Sequence, residues 1–277
     1  MNENDYAVLL TLYKEKNITQ AAKKLFISQP ALTKKIKKIE NELNAQIIIR
    51  SQQGIVFTPI GEQLILFVEK IHNEIRDMKD FVDNMSTEVR GTLRLGVSSI
   101  YAHYELPGIL AGYLHKYPKV DLSIEADNSS SIYKHLQSNK ISAAILRSDY
   151  DWQSGKILIF EEPVCLAYRR KVRYEELRNL PYVKYTTSPL LQSQLEYWLN
   201  ENNIREPQNG IRTNNIDTCV QLIKKGIGWS ILPYIALQDY DGYIEKLTWK
   251  NGSSYTRKTF LYYRGEHITL SAVSTFV

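Results

Sequence analysis

Residues 28–43 read SQPALTKKIKKIENEL, and the spacing within this run decides how the rest of the chain is read. Ser28 is a good helix N-cap, and Pro30 falls in the first turn, where its missing N–H costs little. Leu32, Ile36, Ile39 and Leu43 recur at i, i+4, i+7 and i+11, one face of an α-helix, while Thr33, Lys34, Lys35, Lys37 and Lys38 fill the remainder. One face packs and the other is cationic.

Upstream, Tyr6, Leu9, Leu10 and Tyr13 follow helical spacing, Asn17 ends the run, and Thr19 is expected to cap a short helix through Ala21, Ala22 and Leu25. Helix, tight turn at Phe26-Ile27-Ser28, then helix, with small alanines at the crossing, is the layout of a helix-turn-helix. The second helix of that motif enters the DNA major groove by its N-terminal end. Downstream, Ile47 to Arg50 and Ile55 to Thr58 flank the polar turn Ser51-Gln52-Gln53-Gly54, which predicts a β-hairpin wing. Ser28, Gln29, Pro30, Thr33 and Lys34 are then expected at base edges and phosphates, with Lys37, Lys38, Arg50, Gln52 and Gln53 completing the DNA-binding set. Residues 1–58 hold nine Lys/Arg against five Asp/Glu, and the remaining residues hold 26 against 25. The formal charge of +5 is thus concentrated in the first fifth of the chain, the electrostatic footprint of a nucleic-acid reader.

From Pro59 to Gly91 only Gly61 interrupts helix propensity. A heptad with a at Gly61, Val68, Ile75 and Val82 and d at Leu64, Ile71, Met78 and Met85 predicts a two-stranded seam. Leu64, Val68, Ile71, Ile75, Met78 and Val82 are the expected dimer contacts; the alternative is an amphipathic helix packed on its own domain. Two helix-turn-helix units on a two-fold axis would read paired half-sites.

After Gly91 the texture changes. Thr92 to Val97 reads as a strand, Leu106 to Leu114 as a helix and Val120 to Ile124 as a second strand, a βαβ unit. Alternation continues with a helix near Ser131 to Asn139, strands at Ala143 to Leu146 and Pro163 to Tyr168, and helices near Leu190 to Asn200 and Asp217 to Lys225. This predicts open, mostly parallel sheets covered by helices, with ligands beyond the carboxyl ends of strands. Ser98 and Ser99 sit at such a strand end, either as an anion site or as a helix cap. Arg147 directly follows the strand Ala143 to Leu146, where its guanidinium either receives a carboxylate or is merely solvated.

The run Ala21-Ala22, Leu25, Ser28 to Thr33, Ile36, Ile39-Glu40, Leu43, Arg50 and Phe57-Thr58-Pro59-Ile60-Gly61 resembles the N-terminal signature of LysR-type transcriptional regulators. Ile47-Ile48-Ile49 departs from it, standing where the family usually has a Leu-Phe pair and a polar residue. Leu95 to Ser99, Leu106-Pro107 and Gly226-Ile227-Gly228-Trp229-Ser230-Ile231-Leu232-Pro233 resemble that family's effector domain. The resemblance implies a winged helix-turn-helix over 1–58, a linker helix that dimerises over 59–90, and a two-lobed α/β effector domain of periplasmic-binding-protein type over 91–277. Lobe one would hold 91–161 and 265–277, and lobe two 162–264. It implies a transcription regulator binding double-stranded promoter DNA as a homodimer or homotetramer, with RNA polymerase as a further partner. Val97-Ser98-Ser99, Ile145-Leu146-Arg147, Asp151-Trp152, Asp217-Thr218-Cys219 and Thr256-Arg257 are most similar to the citrate-responsive regulators of Gram-positive bacteria. The effector set this implies is Ser98, Ser99, Ile100, Arg147, Thr186, Thr187 and Arg257, taking a di- or tricarboxylate such as citrate; a different metabolite or no ligand is the alternative. Asn214 and Asn215 are weaker candidates.

Enzyme classes find little support. GxSxG, HExxH and P-loop motifs are absent, Gly226-Ile227-Gly228 is only a fragment of GxGxxG, and the five histidines lack metal-ligand spacing. No cofactor or metal is expected. Cys165 and Cys219 read as small core residues. No apolar run reaches the roughly 18 residues that span a bilayer, and the N-terminus lacks the order of a signal peptide, so a cytoplasmic location away from membranes is expected.

Overall fold

The computed structural model describes the chain apart from residues 52–53, 84–87, 205–206 and 208–209, and at Asp83 the backbone alone. It divides into two compact units, Met1–Met85 and Ser86–Val277. The long helix therefore belongs with the first unit rather than forming a separate segment.

In the first unit, α1 (Glu3–Glu15) is capped by Asn2, whose side chain accepts from Asp5 N–H at 3.1 Å. Asn17, not Thr19, caps α2 (Ile18–Lys24), accepting from Gln20 N–H at 3.0 Å; Thr19 already lies inside the helix. Ser28 caps α3 (Gln29–Leu43) through Ala31 N–H. Leu32, Ile36 and Ile39 are buried, but Leu43 is 40% exposed because the chain turns away at Asn44, which takes the left-handed conformation. β1 (Ile48–Ser51) and β2 (Gly54–Phe57) pair antiparallel to form the wing. Its departure from the family pattern is absorbed by packing: Ile47 and Ile48 join the core with Ile55 and Phe57. Glu40 on α3 accepts from the N–H groups of Ile47 and Ile48, tying the wing to the helix.

α4 (Pro59–Asp83) corrects the heptad. Val68, an expected dimer contact, is 1% exposed and packs with Ile65 in the core of its own unit. Gly61 cannot carry a side chain, since a Cβ there would meet the Ile47 carbonyl oxygen at 2.2 Å. Leu64 packs partly on the same core and Ile75 is half-buried. The exposed apolar residues are Ile60, Leu66, Phe67, Ile71, Met78, Phe81 and Val82. Ile71 and Met78 keep their expected d positions and, with Val82, stay exposed, while Ile60, Phe67 and Phe81 stand one position before the expected a residues and join Ile71 and Met78 in a 3.5-residue stripe. Met85 lies outside the described residues.

The second unit opens with β3 (Gly91–Ser98), α5 (Ser99–Tyr104), α6 (Leu106–Lys116), β4 (Val120–Asp127), α7 (Ser129–Gln137) and β5 (Ala143–Leu146). β6 (Gly155–Tyr168) crosses into lobe two, which contains α8 (Tyr174–Leu177), β7 (Val183–Tyr185), α9 (Pro189–Glu201), β8 (Ile211–Thr213), α10 (Ile216–Lys224), β9 (Trp229–Pro233), a 3-10 turn at Tyr234–Leu237 and β10 (Tyr243–Lys246). β11 (Thr256–Tyr263) returns to lobe one, followed by a 3-10 turn and α11 (Ser271–Ser274). The main sheet runs β10-β6-β11-β5-β3-β4, with β9 also on β6.

Among the described strand ladders β3 with β4, β3 with β5 and β7 with β8 pair parallel and the rest antiparallel, so the main sheet is mixed. Two expectations shift with it. β6 begins at Gly155 rather than Pro163, and Pro163 stands at its changeover point, where the strand leaves β11 and enters the space between β9 and β10. A residue without an N–H is tolerated where a ladder ends. β11 hydrogen-bonds to β5, so the chain regains lobe one by Thr256–Tyr263 and not after 265. Gly228, at φ +77°, lies so close to the Pro181 carbonyl that a Cβ would meet its oxygen at 1.9 Å; Gly226-Ile227-Gly228 is thus a packing turn.

Candidate nucleic-acid interface and effector cavity

On α3, Gln29, Pro30, Thr33, Lys34 and Lys37 lie away from the buried Leu32, Ile36 and Ile39 and leave the head cationic. Ser28, Gln29, Pro30, Lys34, Lys37, Lys38 and Arg50 are exposed; Thr33 is half-buried and accepts from the Arg50 guanidinium at 3.3 Å. That contact connects the wing to the helix. The lysines are not equivalent. Lys35 lies 3.5 Å from Asp5 and Lys38 3.5 Å from Glu42, whereas Lys34 and Lys37 have no ion-pair partner among the described residues. Gln52 and Gln53, expected at the wing tip, lie outside the described residues.

The second unit holds a cavity of about 600 Å³ between its lobes, within the range of small-molecule sites. Ser98, Ser99, Ile100, Arg147, Thr186, Thr187 and Arg257 all line it, as do Asn214 and Asn215. Ser98 occupies the cap position of α5 but makes no capping bond, and its buried Oγ has no partner. The cap alternative for Ser98 is therefore not what the hydroxyl does. Arg147 is 2% exposed. Its Nη2 donates to Glu162, while its Nε and Nη1 have no partner. Arg257 directs Nε and Nη2 at the Arg147 carbonyl, each at 3.4 Å, and leaves its buried Nη1 unpartnered.

Glu162 was not among the residues expected from the sequence. It is 2% exposed and takes the Arg147 guanidinium on one oxygen and the Ile235 N–H, at 2.5 Å, on the other. Burial pushes its carboxyl up, and burial together with Arg257 brings the Arg147 guanidinium down to about 10, still charged at neutral pH. Asp127, Asn128 and Ser129 were missed as well. Their signal was the Asp-Asn-Ser-Ser-Ser run after a strand, where Asn128 caps α7 and the Ser129 hydroxyl accepts from Arg147 N–H. A smaller cavity of about 180 Å³ lies in lobe two, and none of its lining residues carries a buried polar atom without a partner.

The model of the bacterial regulatory helix-turn-helix protein, lysR family, matches residues 4–62, and that of the LysR substrate binding domain matches residues 86–277. The chain belongs to the LysR family. The HTH-type transcriptional regulator YraN of Bacillus subtilis (strain 168) is 33% identical over 278 residues, covering 100% of this chain and 96% of the relative. Among solved structures, CbnR, a LysR family transcriptional regulator, superposes with a TM-score of 0.70 at 16% identity, covering 100% of this chain and 98% of that one. Full-length CbnR complexed with its target DNA gives a TM-score of 0.69 at 15% identity, with 100% of each chain covered.

The LysR-family chain is thus a DNA-binding transcriptional regulator with an effector-binding domain, and its relatives are regulators rather than enzymes. LysR regulators bind promoter DNA and form oligomers. Among the described residues no helix is long and apolar enough to cross a membrane, and no group of His, Cys, Asp and Glu could hold a metal ion.

Proposed function

We propose that this LysR-family regulator binds its promoter DNA under the control of a small organic acid held in the interlobe cavity. The observation that carries the reading is the set of buried polar atoms without partners there: Ser98 Oγ, Arg147 Nε and Nη1, and Arg257 Nη1. Leaving a buried donor unpaired costs about 1–3 kcal/mol, more for a charged group, and a carboxylate would satisfy several at once. Control of DNA binding then requires that the acid favour one of two assemblies of the protein. A second copy packs along the exposed stripe of α4, with further association through the effector domains giving a tetramer. Contact with RNA polymerase and action in the cytoplasm belong to the same reading.

Citrate, the di- or tricarboxylate class pointed to by the sequence, is one candidate acid. Calorimetric titration of mono-, di- and tricarboxylates into the full chain tests the reading, with Arg257→Gln as the comparison. Arg257 is the better probe because removing Arg147 would strand Glu162 in the interior. Saturable binding weakened at least tenfold in the variant is expected. Absence of binding by every acid would withdraw the acid effector and leave a DNA-binding regulator that answers to another metabolite or to none.

A further inference from the structure

The sheet edge beneath the cavity carries charge in a fixed order. From β6 to β4 the strands are β6, β11, β5, β3 and β4. In that order they carry Glu162, Arg257, Arg147, Ser98 and Asp127, and all of these but Glu162 line the cavity. Arg257 is the register partner of Glu162, Arg147 follows the end of β5, and Ser98 is the register partner of Asp127. Adjacent strands lie about 4.8 Å apart, so the backbones bearing Arg147 and Asp127 are separated by about 10 Å with the Ser98 hydroxyl between them.

The cavity is therefore dipolar rather than uniformly cationic. Its lining holds Arg147 and Arg257 at one end, but also Asp127 and Asp217. Glu162 stands behind Arg147 and already takes part of its charge. The two aspartates differ. Asp217 accepts the Tyr104 hydroxyl at 2.5 Å, a bond from one lobe to the other, and lies 3.8 Å from Nε2 of His103, which also lines the cavity. Asp127 Oδ1 accepts from Asn128 N–H and Nδ2 at 2.7 and 3.1 Å, and its carboxyl lies low because the Ser131 hydroxyl and these amide groups favour its charged form. A polyanion filling this space would bring a further carboxylate toward Asp127, where like charges repel. A ligand with one carboxylate and one cationic nitrogen matches both ends.

Resting on the reading that the cavity takes an acid, we propose that its ligand is a zwitterion, an amino acid whose carboxylate is received by Arg147 and Arg257 and whose ammonium is received by Asp127. The unpartnered buried atoms at the arginine end supply the anion site, and the sheet order supplies the cation site beside it. Selectivity then comes from the acid as much as from the arginines. A plain carboxylate of equal size leaves Asp127, which is exposed, to solvent and to its bonds from Ser131 and Asn128, and citrate meets it with the wrong sign.

The test uses the full chain and a panel of the twenty amino acids, each one's deaminated carboxylic acid, and citrate, read by thermal shift and then calorimetry. At least one amino acid is expected to raise Tm and bind saturably, at least tenfold more tightly than its deaminated counterpart. Asp127→Asn, which keeps the size of the side chain, should weaken the amino acid tenfold or more and leave the deaminated acid unchanged; Arg257→Gln should weaken both. Citrate or a plain acid binding as tightly as every amino acid, or Asp127→Asn leaving the preference intact, would overturn the zwitterion while the acid effector stands. No response to any member of the panel would overturn both.

Discussion

Phe26 stands at φ +55° with 95% of its surface exposed, between α2 and the cap of α3. A left-handed backbone costs a residue other than glycine or asparagine about 1–2 kcal/mol, and the exposed Phe26 ring has almost no burial to set against it. Phe26→Asn is expected to stabilise the protein by about 1 kcal/mol, seen as a higher urea midpoint; an unchanged or lower midpoint would mean that the ring has contacts worth more than the strain. The cysteines make the opposite case. Cys219 donates to the Val183 carbonyl at 3.3 Å, and burial pushes its thiol up to about 11 and that of Cys165 up to about 12. Both thiols stay protonated in the folded protein where an unfolded thiol, with a pKa of about 8.5, ionises. The native state therefore binds more protons above that pH, and stability falls as pH rises toward 11. Neither cysteine should react with a thiol reagent at pH 8 until urea is added, and the urea midpoint should be lower at pH 10 than at pH 8. Their core role was legible from their apolar surroundings in sequence. Glu162 was not, because its partner Arg147 lies 15 positions away and only the sheet order, with β11 between β6 and β5, brings them together.

Among elements, α4 shows how far periodicity reaches. Its apolar residues satisfy two stripes, and the sequence cannot say which faces inward until the neighbours are known. α1 and the wing take Gly61, Ile65 and Val68, which leaves the stripe through Ile60, Phe67, Ile71 and Met78 exposed, the face on which the proposed second copy would pack. Substitutions should separate the two. Phe67→Asp with Ile71→Asp is expected to yield a folded monomer in light scattering. Val68→Asp should instead unfold the head, since burying an unpaired carboxylate costs several kcal/mol, and would appear as a lower Tm. A Val68→Asp protein that stays folded as a monomer would restore the original seam. β6 is a comparable case. Pro163 reads as a strand start, yet the strand continues through it because the proline falls where one set of partners is exchanged for another.

For the whole molecule the division of labour follows from charge. Among the described residues Lys34 and Lys37 of the head have no ion-pair partner, and the effector unit carries Arg147 and Arg257 inside a cavity. Lys34→Ala is expected to weaken binding to duplex DNA at low salt and to reduce the slope of log affinity against log salt by about one, as loss of one phosphate contact requires. The Tm of the variant should not change. A salt slope equal to that of the wild type would remove Lys34 from the interface.

The sequence by itself determined the helix-turn-helix, the wing, the long helix and the α/β second unit, because each rests on local signals: caps, 3.6- and 2-residue periods, and turn residues. It also brought forward the serines and arginines that line the cavity, since they sit at strand ends. Tertiary structure alone decided which face of α4 is spent on the head, where β11 rejoins lobe one, and that Arg147 is shared with Glu162 beside a row ending in Asp127. These depend on which strands become neighbours, a long-range choice made by packing that no run of adjacent residues encodes.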